Sequence, residues 1–247
     1  MGRTSSTKKS SPNPCKTVTM FAKWTEFERA YFNTCEPDVA GLIVHPAETV
    51  SALAYLVAAV VVWQTRRSVG RKLPVRLFPL ILVVIAATSA LFHASSAAVF
   101  QQLDLIAVLL LTNLLFVTSL AHIGYITLDM SLPLFFGLSV SSSLLTFFQT
   151  GLGFLIATLE SLAIIRFWHC LPRKTRLTKR RLRMIICLVT PGAILLVLGH
   201  ARIGCVTNDV AAHIFQPHVF WHILSAICCV LIAAVEQQFE LQWRTKV

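Results

Sequence analysis

Residues 77–93 read LFPLILVVIAATSALFH, an apolar run without a single Asp, Glu, Lys or Arg that closes on a histidine. At a rise of about 1.5 Å per residue, a helix of this length and composition suits the hydrocarbon core of a bilayer, about 30 Å thick. Outward from it the pattern repeats at 46–63, 99–121, 130–148, 151–168, 184–203 and 217–236. Only Gln149 and Thr150 separate the fourth run from the fifth. The 247-residue chain is 55% hydrophobic and 13% charged, which is too apolar for a soluble domain. The expected fold class is therefore all-α, a seven-transmembrane helix bundle over 46–236.

The formal charge of +11 would suit a nucleic-acid partner if it were spread over one face, but it is not. Arg66, Arg67, Arg71, Lys72 and Arg76 fill the first linker. Arg166, Arg173, Lys174, Arg176, Lys179, Arg180, Arg181 and Arg183 fill the fifth. The stretches 94–101, 149–150 and 204–216 carry no Lys or Arg. This alternation is the positive-inside signature and excludes a nucleic-acid surface. It places linkers one and five in the cytosol, the N-terminus outside or lumenal, and a tail at 237–247 in the cytosol.

Ahead of the first span, 1–20 is a basic Ser/Thr/Lys/Pro tail expected to be disordered. Phe21, Trp24, Phe27, Tyr31 and Phe32 then form a helical apolar stripe that reads as a helix lying on the membrane surface, leading into an acidic entry loop up to residue 45. No run in residues 1–30 is apolar enough for a secretory signal. Met1-Gly2 with Ser6 matches a myristoylation pattern, which an outside N-terminus would keep from the cytosolic enzyme.

Polar groups in apolar spans are expensive and mark function. Ser89 and His93 lie one turn apart at the end of the second span, and Asp104 opens the third. His218 and His222, four residues apart, share one helix face at the start of the seventh. Antiparallel neighbours bring all five to one depth. A lone membrane histidine commonly bonds an adjacent helix. Three imidazoles from two helices instead describe a zinc site with an open position for water: His93, His218 and His222 as ligands, Asp104 as proton carrier and Ser89 as hydrogen-bond donor. Asn33, Glu36, Asp38 and Glu48 form an acidic entry loop that either holds a hard cation such as calcium or caps the first helix. Glu160, inside the fifth span, is expected to pair with a nearby arginine. His200 and Arg202 read as interfacial, and His122, His169 and His213 have no evident partner. Among seven cysteines there is no CxxC; Cys35 and Cys205 both fall on the outer side and are expected to form a disulfide, with Cys187, Cys228 and Cys229 as packing residues.

Seven spans with Ser89-x3-His93, Asp104 and His218-x3-His222 resemble the CREST superfamily of membrane hydrolases, and within it the alkaline ceramidases. The family's Asp-Trp-Cys-Glu calcium loop reads Asn33-Thr34-Cys35-Glu36 here, and its Asn-Thr-x-Ser-Asn box reads Glu48-Thr49-Val50-Ser51-Ala52. The resemblance covers about 33–236. It implies a zinc-dependent hydrolase of a lipid amide, ceramide plus water giving sphingoid base plus fatty acid, with calcium as a second cofactor held by Glu36 with Asp38, Asn33 or Glu48. Its other branches imply two alternatives: hydrolysis of another lipid amide or ester, or a seven-span receptor of the adiponectin-receptor type.

Overall fold

The computed structural model describes residues 28–30, 34–66, 73–170, 176–205 and 214–244. Seven helices follow in order: α1 Pro46–Arg66, α2 Leu73–Ser95, α3 Ala98–Ile123, α4 Leu128–Phe148, α5 Thr150–Cys170, α6 Arg176–His200 and α7 Pro217–Arg244. Each contains a stretch long and apolar enough to cross a membrane, the architecture of a multi-pass membrane protein, and the described residues contain no strand beyond an isolated bridge between Arg29 and Ala97. The stripe at 21–32 and Asn33 lie outside the described residues, apart from Glu28–Ala30.

The boundaries follow local chemistry. Pro46 opens α1, where a missing N–H costs nothing. Gly124, at φ 86°, ends α3 in the left-handed conformation, and its N–H donates to the carbonyl of Ala121. Extended Gln149 alone separates α4 from α5. Two expectations change at the ends. Helix α6 begins at Arg176 rather than 184, and α7 runs to Arg244 through the segment expected as a tail. Arg, Lys, Leu, Glu and Gln are good helix formers, so backbone hydrogen bonding continues beyond the apolar run that marks the span.

Helix α3 occupies the middle: 56% of its span is buried, against 17% for α5 and 22% for α6. It packs on α2, α4 and α5, while α1 packs on α2 and α7, and α7 on α6. Tyr55, Val62, Phe78, Leu82, Val117 and Val235 belong to the shared apolar core. Val57, Phe148, Leu162 and Val197 point outward, as a lipid-facing surface requires.

The N-terminal ends of α1, α3 and α7 and the C-terminal ends of α2 and α6 share one end of the bundle, opposite the C-terminal ends of α1 and α5. A strap closes that end. The N–H groups of Val44 and His45 donate to the carbonyls of Ala94 and His93, and Ala30 donates to Ser96, so the exposed carbonyls of α2's last turn find donors. A Cys35–Cys205 disulfide, with Cα atoms 5.2 Å apart, ties the strap to the segment after α6, as expected from the placement of the two cysteines. Cys228 and Cys229 are buried, whereas Cys187 is exposed on α6.

Candidate metal centre

Glu36 organises the approach to the site. Its Oε1 and Oε2 accept the backbone N–H groups of Ala47 and Glu48, each at 2.9 Å, filling the donors left open at the start of α1. With the N-terminus of α1 fixed, Glu48, Ser51 and Tyr55 succeed one another at steps of three and four along its inward side. They meet α2 and α7 there.

His93, His218 and His222 converge as the sequence implies. Their ring centroids are 4.8, 5.1 and 4.6 Å apart, and each offers a ligand atom within 4.8 Å of the others. All three are buried. Nδ1 of His218 and both nitrogens of His93 have no hydrogen-bond partner, an expensive state unless something else takes their lone pairs. The group therefore fits a metal ion, and an all-imidazole donor set suits a transition ion over a hard one.

His222 shows how a ligand nitrogen is selected. Ser51 Oγ lies 2.8 Å from His222 Nδ1 and donates its own proton to the carbonyl of Glu48 at 2.9 Å. A hydroxyl that gives its proton to this carbonyl accepts from Nδ1–H, which favours the tautomer in which Nε2 carries the lone pair. Tyr55 packs edge-on to the same ring at 5.8 Å and is itself anchored to Ser225 Oγ at 2.6 Å.

Ser89 and Asp104 stand beside the histidines. Ser89 Oγ is 3.4 Å from His222 Nε2, and the hydroxyls of Thr88 and Ser89 both reach the Asp104 carboxylate, Thr88 at 3.4 Å. Ser89 is buried while Asp104 is half-buried. Leu91, Val99 and Leu103, on the same two helix ends, are exposed on the outer surface. The carboxylate thus lies between the imidazole cluster and the apolar exterior.

The three calcium candidates among the described residues, Glu36, Asp38 and Glu48, do not gather. Glu36 is taken up at the α1 N-terminus; Asp38 sits between Arg29, at 3.1 Å, and His45 Nε2, at 3.0 Å. Glu48 turns inward, its Oε2 2.9 Å from His93 Nδ1 and 3.8 Å from His45 Nδ1. Asn33 lies outside the described residues. No metal-competent trio among the described residues includes Glu36 or Asp38.

Other expectations are revised by particular contacts. Glu160 does not pair with an arginine among the described residues; it accepts from Thr112 Oγ1 at 2.5 Å on α3. His122 has a partner after all, Glu236 Oε2 at 2.8 Å on α7. His200 reaches the site, its ring 5.6 Å from that of His218. His45, Glu48 as a neighbour of His93, Ser51 and Tyr55 were not assigned these places from sequence. The signal was present in the steps of three and four from His45 to Glu48 to Ser51 to Tyr55, a polar stripe on an apolar helix. No family model matches this chain, and no curated protein does.

Proposed function

We propose that this chain is a zinc-dependent hydrolase of a lipid amide held in the bilayer, with ceramide as the substrate class and a sphingoid base and a fatty acid as products. The carrying observation is the convergence of His93, His218 and His222 on one buried point, with Ser89 and Asp104 against it. His93, His218 and His222 would hold the ion. When bound, zinc supplies Lewis acidity, lowering the pKa of a coordinated water and polarising a carbonyl.

The chain's own groups supply the rest. Asp104 is an acceptor for the proton of the attacking water and returns it to the departing amine nitrogen, a general base that becomes a general acid. Ser89 donates a hydrogen bond to the carbonyl oxygen as that atom gains negative charge. Ser51 holds His222 in the ligating tautomer. The half-buried setting of Asp104 near exposed Leu91, Val99 and Leu103 suits a scissile bond arriving from the lipid side with its acyl chains left in the hydrocarbon. The Lys/Arg-rich sequence between α1 and α2 and between α5 and α6 supports a centre on the non-cytosolic side.

Purified in detergent, the full chain should bind zinc and release fatty acid from a panel of ceramides, and His218→Ala should lose turnover together with the zinc held by the imidazole trio. Zinc binding without turnover on any lipid amide or ester would favour the receptor reading. Absence of bound metal would overturn the hydrolase.

A further inference from the structure

His93 is shared by two groups of ligand atoms. One is the imidazole trio. The other is His45, Glu48 and His93, again with ligand atoms within 4.8 Å of one another and all three buried. We propose that this second group is a cation site in its own right, so that the centre holds two divalent ions bridged by the His93 ring. The proposal rests on the metal reading of the imidazole trio and is independent of the lipid substrate.

Geometry separates this from the simpler alternative, in which Glu48 merely braces His93. Glu48 Oε2 lies 2.9 Å from His93 Nδ1, close enough for a hydrogen bond, yet neither atom is satisfied by one, so the carboxylate sits off the N–H axis. Two ligands of one ion are expected to look like this. At roughly 2.0–2.1 Å from a shared ion and about 90–110° apart, they lie roughly 2.9–3.4 Å from each other, with neither pointing at its neighbour. Both oxygens of Glu48 are fully buried and lack donors, a state a carboxylate tolerates only beside compensating positive charge.

The surroundings are built to match. His45 Nε2 is 3.0 Å from Asp38 Oδ1, which directs Nδ1, the nitrogen facing Glu48, to present its lone pair. Ser96 Oγ, 3.3 Å from the same Nδ1, is the group an ion would displace or draw in. Arg29 holds Asp38 from the outside, and Glu36 fixes the backbone of Glu48. The acidic strap thus orients ligands at one remove. For both groups to be filled at once, the His93 ring would ligate through both nitrogens, its remaining N–H proton passing to water.

The test is zinc content of the full chain in detergent after saturation with zinc and removal of free metal. Two ions per chain are expected, falling to one in His45→Ala and in Glu48→Gln, and to one in His218→Ala, with thermal melting showing that each variant is folded. Loading with copper(II) instead should give a spin-coupled pair through the imidazole at two equivalents, and an ordinary uncoupled signal in His45→Ala. One ion per chain in the parent, unchanged in number in His45→Ala and merely weaker in Glu48→Gln, would reduce Glu48 to a brace and overturn the second site while leaving the hydrolase intact. No ion in any form would overturn both.

Discussion

Ser51→Ala isolates the role of a single hydrogen bond at the centre. Ser51 Oγ lies 2.8 Å from His222 Nδ1 and spends its proton on the Glu48 carbonyl, so it holds His222 with the lone pair on Nε2. Without it, the ring is free to rotate and to populate the tautomer that puts a proton on the ligating nitrogen. Loss of such an outer partner typically weakens metal affinity about 10- to 100-fold. At about 1.36 kcal/mol per decade, that is roughly 1.4–2.7 kcal/mol of binding free energy. The fold should tolerate the change, since alanine is the best helix former and Ser51 is only half-buried. The assay is competition for zinc against a chelator of known affinity, in detergent, with melting of the metal-free protein as control. Ser51→Thr, which keeps a hydroxyl, should restore most of the affinity. An unchanged zinc affinity in Ser51→Ala would refute the tautomer assignment; an equal loss in Ser51→Thr would point to packing.

Three further outcomes follow from other contacts. Asp104→Asn should keep its zinc and lose about 10²- to 10⁴-fold in fatty-acid release, the usual weight of a positioned acid–base group; loss of zinc in step with rate would move Asp104 among the ligands. Reduction of Cys35–Cys205, or Cys205→Ser, opens a link across 170 residues and should lower the melting temperature. Its cost should stay below the roughly 5 kcal/mol of the chain-entropy limit, because inserted spans already restrict the unfolded chain; an unshifted transition would show that the link carries no stability. Gly153→Ala should destabilise the bundle. A Cβ there would stand 2.6 Å from Thr146 Oγ1 and 2.8 Å from Leu105 Cδ2, an overpacking of about 1–3 kcal/mol set against about 1 kcal/mol regained in helix propensity. A raised melting temperature would mean that Thr146 and Leu105 yield freely.

The spans were legible because a bilayer imposes a length and a composition on each helix by itself, with no reference to its neighbours. The pairing of His93 with His218 and His222 was legible for a related reason. Antiparallel connection through a short linker and an odd number of crossings set which ends share a side, and the i, i+4 step sets the shared face. Glu160 shows where this reasoning stops. A carboxylate in a span must find something, but its choice of Thr112 over an arginine depends on how α3 lies against α5.

By itself the sequence determined seven helices, the end of the bundle where the chemistry-bearing residues lie, and the cysteine pair that ties that end shut. Each is a property of hydrophobic length, charge placement or chain direction. Only the tertiary structure decided what Glu48 does. On sequence it belongs to an acidic loop with Glu36 and Asp38, yet the seating of α1 against α2 turns it inward to His93 while the other two stay with a helix end and an arginine. The direction of a side chain on a helix is set by the rotation of that helix against its neighbours, and that rotation is settled by packing over the whole contact, not by any residue read alone.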